Sequence, residues 1–250
     1  MPVLPEYDLT GKTAILSTSG GTEAPFLAQA LTEAGASVFA VARTQSLLDA
    51  VLASLPSGSS GAVMDASVPD SAKSVMEQFD RSHSKVDILV NDPRSMYAKP
   101  LEDIGADEWD AVQTRNAKAP FLLSQQVLPR MAKDEYGRVV NMISELAERG
   151  MINGSAFAAS QAAVLALTRS LAVEWSRFNI RINAIGTGLI DTEGQSLETQ
   201  REELLVRYTP LRRKGAPSDI GPLLVYLCSE SCDYSTGQPV YVDGGLNAHP

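Results

Sequence analysis

Hydrophobic and polar positions along the chain follow two alternating patterns. Short aliphatic or β-branched runs bounded by turn residues predict seven strands: Thr13–Leu16, Ser37–Val41, Gly61–Met64, Val86–Val90, Arg138–Ile143, Arg181–Ile185 and Pro239–Val242. Longer amphipathic stretches predict the helices between them: Ala24–Ala34, Gln45–Ala53, Ser71–Ser82, Ala106–Met131, Ala156–Ser176 and Pro217–Leu227. This alternation predicts an α/β fold of the Rossmann-like, doubly wound kind, in which helices cover both faces of a parallel sheet.

The length and composition of the chain indicate a single folded domain. With 250 residues, 44% of them hydrophobic and 20% charged, the chain suits a single domain over residues 1–250. The polar segment Leu189–Leu205 follows the sixth strand, and in a doubly wound fold it lies over the carboxyl edge of the sheet, where ligands bind. We therefore expect a substrate loop or lid at about residues 189–216.

Charge and cysteine usage disfavour several classes of partner. A formal net charge of −9 without a local basic patch disfavours nucleic acid. Cys228 and Cys232 lie one helical turn apart with no His or further Cys nearby, so they predict buried thiols and no metal site. Neither Met1–Lys12 nor any later segment approaches the ~18 apolar residues of a membrane span, so no membrane and a cytoplasmic protein are expected.

Sequence landmarks in a fixed order extend over almost the whole chain. They include Glu33-Ala34-Gly35-Ala36, Asp87-Ile88-Leu89-Val90-Asn91, Gly137-Arg138-Val139-Val140-Asn141, Arg181-Ile182-Asn183-Ala184-Ile185 and Thr236-Gly237-Gln238. Through them the stretch from Leu9 to Gly245 resembles the classical short-chain dehydrogenase/reductase family. The resemblance implies a seven-stranded parallel sheet, hydride exchange with NAD(P) and assembly through paired long helices.

The nucleotide loop departs from the pattern that the resemblance implies. The family motif T-G-x-x-x-G-x-G uses glycines so that the backbone can approach a pyrophosphate at a helix N-terminus. Here the loop reads Ser17-Thr18-Ser19-Gly20-Gly21-Thr22-Glu23-Ala24, with Thr18, Thr22 and Ala24 at the three glycine positions. Glu23 adds a carboxylate beside the expected pyrophosphate, which is unfavourable unless another group compensates for it.

Two further loops at the same sheet edge also differ from the family. The family's N-N-A-G becomes Asn91-Asp92-Pro93-Arg94, and its proline-glycine pair becomes Thr187-Gly188. Loss of one ligand explains all these changes with one cause, so no cofactor is expected, with NADP favoured over NAD if one binds. Positions of a vestigial nucleotide site are Ser17, Thr18, Thr22, Ala24, Arg43, Asp65, Asn91 and Thr192. Arg43 is equally interpreted as a solvated cation, and Asp65 and Thr192 as caps.

The catalytic positions implied by the resemblance are only partly present. Ser144 and Asn116 match the family's serine and asparagine, whereas Phe157 and Gln161 occupy the tyrosine and lysine positions of Y-x-x-x-K. Phenylalanine has no hydroxyl and glutamine carries no charge, so neither the proton donor nor the cation that tunes its pKa is present. Polar candidates for new chemistry are Asp92, Arg94, Tyr97, Glu145 and Glu148.

Three functional hypotheses follow. The first is a non-catalytic subunit that forms a homo- or hetero-oligomer through the helices Ala106–Met131 and Ala156–Ser176, with an active paralogue as a candidate partner. The second is cofactor-independent chemistry similar to that of halohydrin dehalogenases, which use Ser, Tyr and Arg at positions 144, 157 and 161. The third is an NAD(P)-dependent oxidoreductase that recruits another acid, such as Tyr97 or a water on Ser144. The sequence favours the first and leaves the substrate open.

Overall fold

The computed structural model describes residues 7–248, and its centre is one parallel sheet of seven strands. Residues 1–6 of the segment Met1–Lys12 lie outside the described part of the chain. The strands are β1 (Thr13–Thr18), β2 (Ser37–Ala42), β3 (Gly61–Val63), β4 (Ile88–Asp92), β5 (Gly137–Ser144), β6 (Ile180–Thr187) and β7 (Pro239–Val242). Their spatial order is β3-β2-β1-β4-β5-β6-β7, which confirms the predicted doubly wound sheet.

Helices connect the strands and cover both faces of the sheet. Within residues 7–248 the α-helices are α1 (Ala24–Glu33), α2 (Gln45–Leu52), α3 (Ser71–Phe79), α4 (Ala106–Gln113), α5 (Ala119–Lys133), α6 (Ser155–Trp175), α7 (Leu197–Glu202), α8 (Leu204–Tyr208) and α9 (Pro217–Cys228). Successive side chains of a strand point to opposite faces, so Leu16 packs in the α1/α9 layer and Ile15 in the α3/α5 layer. The central strands are buried on both faces.

The strand register places the candidate residues at one edge. Ser17 of β1 pairs with Asn91 of β4, and Ser144 of β5 pairs with Thr187 of β6. Because all these strands are parallel, the loops that follow them meet at the carboxyl edge of the sheet. The chain reverses direction across the sheet between β1 and β4, and this is where ligands bind in open α/β sheets.

The predicted helix Ala106–Met131 is instead interrupted. Helix α4 ends at Gln113, a π-helical turn spans Thr114–Lys118, and α5 continues from Ala119. Pro120 has no backbone N–H, so the carbonyl of Asn116 lacks the usual helical donor four residues on. The hydrophobic pattern therefore continues through this segment, but the α-helical hydrogen bonds between residues four apart are interrupted, and a π turn forms.

The segment Leu189–Leu205 was expected as a loop and is partly helical. It contains α7, whose start is capped by Ser196 Oγ accepting from the N–H of Thr199 at 3.2 Å, and the beginning of α8. The two helices have six and five residues, so each is too short to give a periodic hydrophobic pattern that predicts a helix.

Two features bear on the expected environment of the chain. One helical stretch, Ser155–Phe178, is long and apolar enough to cross a membrane by length and composition, with a mean hydropathy of 1.4. It contacts β5 and β6 and buries Phe157 and Val164, which is the packing of a core helix. Cys228 and Cys232 are free and buried as expected, and burial raises the pKa of the Cys228 thiol.

Candidate active site

A cleft of about 300 Å³ opens at the carboxyl ends of β1, β4, β5 and β6. Its walls come from the loop after β1, the turn after β4, the end of β5, the start of α6 and the segment after β6. The lining residues are Gly20, Gly21, Thr22, Glu23, Arg94, Met96, Ser144, Glu145, Leu146, Met151, Phe157, Thr187, Gly188, Leu189, Ile190 and Leu205. The structure therefore brings the serine and phenylalanine positions into one cavity.

The loop after β1 turns on glycines at positions other than those of the family motif. Gly20 has a φ of +138°, a conformation that L side chains rarely adopt. Gly21 lies so close to Asp92 that a Cβ there would be 2.3 Å from Asp92 Oδ2. This loop leads into helix α1, whose N-cap residue, Glu23, makes no side-chain cap. The turn toward the helix N-terminus is thus made by Gly20 and Gly21.

Arg94 crosses the cleft at the end of β4. Its side chain is 6% exposed, and it donates from Nε to Asp92 Oδ1 at 2.5 Å and from Nη1 to Glu23 Oε1 at 3.2 Å. Nη1 also donates to Thr187 Oγ1 on β6. Burial alone lowers the pKa of Arg94, but the carboxylates of Asp92 and Glu23 raise it above its usual value, so the guanidinium stays charged.

This arginine supplies the compensation that Glu23 requires. A carboxylate beside a bound phosphate is repulsive by itself, but a guanidinium in contact with it neutralises the charge. Burial raises the pKa of Asp92, and the pairing with Arg94 opposes this effect. The sequence placed Glu23 and Arg94 71 positions apart, and only the fold shows that they meet.

A second, narrow cavity of about 20 Å³ lies at the other end of the loop, beside β2 and β3. Arg43, Asp65 and Arg115 line it together with Ser17–Ser19. Arg43 Nε donates to the carbonyl of Ser19 at 3.3 Å, and Arg115 Nε is buried without a hydrogen-bond partner among residues 7–248. Two guanidinium groups therefore converge where the family resemblance implies the adenosine end of a dinucleotide.

Asp65 is held as a turn residue in this cavity. Its Oδ1 accepts from the N–H of Ser67 at 2.9 Å and from the hydroxyl of Ser67 at 2.7 Å. These hydrogen bonds lower the pKa of Asp65, with smaller contributions from Arg43 and Lys118. These contacts agree with the interpretation of Asp65 as a turn cap.

Ser144 is paired with the residue that follows it. Its hydroxyl donates to Glu145 Oε2 at 2.9 Å and accepts from the N–H of Leu146 at 3.2 Å. Burial raises the pKa of Glu145, against the opposing effect of the hydrogen bond from Ser144. A carboxyl group that binds its proton more tightly than usual thus sits beside the serine, inside the cleft.

Phe157 and Gln161 have different surroundings. Phe157 is 3% exposed and lines the cleft, where its ring fills space. Gln161 is fully buried, accepts from the N–H of Ser144 at 3.0 Å and donates to the carbonyl of Pro93 at 3.0 Å. Gln161 therefore ties the ends of β4 and β5 together.

Asn116 is committed to the backbone rather than to the cleft. Its Oδ1 accepts from the N–H of Ser95 and its Nδ2 donates to the carbonyl of Ser95, both at 3.0 Å. Asn91 likewise binds another side chain, donating to Asn141 Oδ1 at 2.9 Å. These two residues fix the turn after β4 and the centre of the sheet.

Of the five polar candidates, Asp92, Tyr97 and Glu148 do not line the cleft, and neither does Thr192. Glu148 is exposed and pairs with Arg169 at 3.3 Å, and Thr192 lies in the turn before α7. Among the five polar candidates, the only sequence signal that distinguishes Glu145 is its position directly after Ser144.

Guanidinium groups at both ends of the loop after β1 provide donors that suit the phosphates of a dinucleotide. Arg43 and Arg115 lie at one end and Arg94 at the other, and Arg94 Nη2 is also buried without a partner among residues 7–248. Unpaired guanidinium donors are suited to phosphate oxygens.

Comparison with known proteins adds the family. Residues 24–247 match the family described as Enoyl-(Acyl carrier protein) reductase, which covers most of the chain and the cleft residues from Arg94 onward. The chain belongs to the classical short-chain dehydrogenase/reductase family. Members of this family generally form oligomers.

Relatives of this short-chain dehydrogenase/reductase are named oxidoreductases. The chain is 33% identical over 245 residues to the 2-dehydro-3-deoxy-D-gluconate 5-dehydrogenase of Bacillus subtilis (strain 168), covering 96% of each protein. It is 29% identical to the 3-oxoacyl-acyl-carrier-protein reductase FabG of Thermotoga maritima, covering 95% of this chain and 98% of that one. A gluconate 5-dehydrogenase of Burkholderia cenocepacia, solved in complex with NADP and tartrate, aligns with a TM-score of 0.85 at 25% identity and 98% coverage of both chains.

These comparisons contradict two predictions from the sequence. A non-catalytic subunit is contradicted because the relatives are named as active oxidoreductases, and the absence of a cofactor is contradicted because a close structural relative holds NADP. Motif residues compared one by one do not reveal the contact between Glu23 and Arg94 or the acid beside Ser144, which change the charge and the proton chemistry of the site.

Proposed function

We propose that this protein is an NADP(H)-dependent oxidoreductase that interconverts a small carbonyl compound and its alcohol, with Ser144 and Glu145 handling the proton. The hydrogen bond between Ser144 Oγ and Glu145 Oε2, inside the cleft, carries the proposal. The named relatives support the reaction class. On this proposal the reaction class is that of the named relatives, and what differs is the group that donates the proton.

The cofactor would be held by the arginines at the two ends of the loop after β1. Arg43 and Arg115 at the narrow cavity suit an additional phosphate on the adenosine ribose, so the proposal specifies NADP(H) rather than NAD(H). When bound in reduced form, the nicotinamide supplies a hydride to the carbonyl carbon of the substrate.

Proton transfer follows from the contacts of Ser144. In the structure the hydroxyl donates to Glu145, which is the direction for alcohol oxidation. For reduction the protonated carboxyl of Glu145 donates to Ser144 Oγ instead, and the hydroxyl gives its own proton to the substrate oxygen. The raised pKa of Glu145 keeps the proton available closer to neutral pH. In the direction of alcohol oxidation, Glu145 accepts the proton through the same serine.

Gln161 and Phe157 position this pair instead of taking part in it. Gln161 fixes the backbone of Ser144 through its N–H, and the Phe157 ring lines the same cleft. An apolar ring in this place lowers the local polarity, which strengthens the interactions of Glu145 with its neighbours.

The proposal includes the wider organisation of the chain. Residues 1–250 form one domain, residues 189–216 act as a lid over the cleft, and the protein is cytoplasmic. Exposed apolar side chains on α4 and α5, Trp109 and Phe121, support a homo-oligomer through these helices.

Oxidation of NADPH with a panel of small ketones and 3-oxoacids tests the proposal. We expect turnover by the wild type and a loss of about 100-fold in kcat for Glu145→Gln, because one positioned acid contributes about that much. Ser144→Ala should lose a similar factor. The matched control is Glu148→Gln, an exposed carboxylate outside the cleft, which should retain wild-type turnover. Equal activity of Glu145→Gln and wild type would refute the assigned proton pair.

A further inference from the structure

The turn after β4 contains an arginine where the family pattern has a glycine. Arg94 ends the segment Asn91-Asp92-Pro93-Arg94, so its long side chain enters a space that the family keeps clear of side chains. The guanidinium is buried and extends from β4 to Thr187 on β6 and to Glu23 at the start of α1. A buried charge at such a position is costly unless it is paired, so its placement is informative.

Glu23, at the start of α1, lines the same cleft. It gives no side-chain hydrogen bond to the first turn, and the first turn contains no acidic residue. Pro25 has no N–H and the N–H groups of Phe26 and Leu27 donate to the carbonyl of Glu23, so the attraction of this helix end for phosphate comes from the helix dipole. The Glu23 carboxylate opposes such binding, and Arg94 Nη1, at 3.2 Å from Glu23 Oε1, offsets it.

The guanidinium retains one free donor at this place. Nε and Nη1 are used by Asp92, Glu23 and Thr187, whereas Nη2 is buried and has no hydrogen-bond partner among residues 7–248. A buried guanidinium nitrogen without an acceptor is unfavourable, and a ligand oxygen in the cleft would satisfy it.

We infer that Arg94 is a cofactor-binding residue, donating from Nη2 to the diphosphate of the dinucleotide at the start of α1. This inference rests on the proposed function. Arg94 takes over part of the anion binding that the motif glycines provide in the family, and Glu23 and Asp92 hold its guanidinium in place. The changes in the loop after β1 and in the turn after β4 then belong together, because Arg94 in the turn offsets Glu23 in the loop.

The sign of the change in NADPH affinity tests this inference, measured by fluorescence titration on the intact protein. Arg94→Gln should weaken NADPH binding about tenfold, as expected for the loss of one charge-assisted hydrogen bond, and Arg94→Lys should keep part of the affinity. Glu23→Gln should strengthen binding about threefold, because it removes a carboxylate from the diphosphate. Tighter or unchanged binding by Arg94→Gln would overturn the inference, since Arg94 would then obstruct the site or be irrelevant to it.

Two controls separate folding from binding. The double variant Asp92→Asn/Arg94→Gln removes both buried charges, so it keeps the fold even if Arg94→Gln alone leaves Asp92 unpaired and unfolds, and it should bind NADPH as weakly. Arg138→Gln removes another buried arginine at the amino end of β5 and should leave NADPH affinity unchanged.

A titration with inorganic pyrophosphate distinguishes failure of the inference from failure of the proposed function. Thermal stabilisation of the wild type by pyrophosphate, lost in the Asp92→Asn/Arg94→Gln variant, supports the Arg94 site even if NADPH does not bind. NADPH binding by the wild type that is insensitive to Arg94 would leave the proposed function intact and refute the inference. Absence of both responses in the wild type would refute both.

Discussion

The side-chain oxygen of Gln161 accepts a hydrogen bond from the backbone N–H of Ser144 at 3.0 Å. The same amide donates to the carbonyl of Pro93, so this residue at the family's lysine position joins two strand ends by hydrogen bonds. A lysine there would have donors only and would leave the N–H of Ser144 without an acceptor. The substitution at position 161 is therefore part of the support for Ser144.

Gln161→Met is expected to destabilise the protein by about 1–3 kcal/mol, because it leaves two buried backbone groups without partners. Gln161→Lys should lose a similar amount because the N–H of Ser144 stays unpaired. Chemical denaturation measures both. The exposed Gln125 provides the matched control, and Gln125→Met should change stability little. A Gln161→Met protein as stable as the wild type would contradict the structural role of the amide.

Asn116→Ala is expected to destabilise the protein by about 1–3 kcal/mol, since both hydrogen bonds to the backbone of Ser95 are lost. Asn116→Asp keeps the acceptor for the N–H of Ser95 and should fall between Asn116→Ala and the wild type. Denaturant unfolding gives the free energies. If the two variants were equally stable, the hydrogen bond from Ser95 would contribute nothing.

Glu145 should make the folded state less stable as pH rises. Its pKa is raised by burial, so the folded protein binds this proton more tightly than the unfolded chain does. The resulting stability is present below the unfolded pKa and is lost as pH rises through the folded pKa.

Comparison of the wild type with Glu145→Gln isolates this contribution. The free energy of unfolding of Glu145→Gln relative to the wild type should increase as pH rises above about 4.3, the usual pKa of a glutamate, because only the wild type acquires a buried charge. Glu148→Gln, at an exposed position, serves as the control. A difference between wild type and Glu145→Gln that does not change with pH would show that Glu145 titrates normally.

Much of the fold could be predicted from the sequence, because periodicity and turn residues are local signals. The order of strands and helices and the shared edge of Ser144, Phe157 and the loop after β1 follow from the alternation of patterns. The π turn at Thr114–Lys118 could not be predicted, because one inserted residue barely changes a hydrophobic pattern.

The site was less predictable because its chemistry depends on contacts between distant residues. Replaced motif positions could be identified, but the pairing of Glu23 with Arg94 depends on how two loops meet in space. The role of Glu145 likewise depends on its orientation toward Ser144 and on its burial. Sequence motifs record which residues of a known site are missing, whereas the replacements are visible only in three dimensions.

Arg43→Ala should lower the affinity for NADPH about tenfold and leave that for NADH nearly unchanged, because a guanidinium at the narrow cavity favours the additional phosphate of NADPH. Fluorescence titrations with both cofactors give the ratio of dissociation constants. Arg81→Ala, an exposed arginine outside this cavity, is the control. Equal loss of affinity for both cofactors would assign Arg43 to a contact that they share.

The most direct test of the central claim is a titration of the wild-type protein with NADPH, followed by the change in cofactor fluorescence. We predict saturable binding, tighter than that of NADH, because Arg94 Nη2 and Arg115 Nε have no hydrogen-bond partner among residues 7–248 and lie at the two ends of the loop after β1. The account would be contradicted by fluorescence that rises only in proportion to added NADPH, without saturation up to about 1 mM. That concentration corresponds to about 4 kcal/mol of binding free energy.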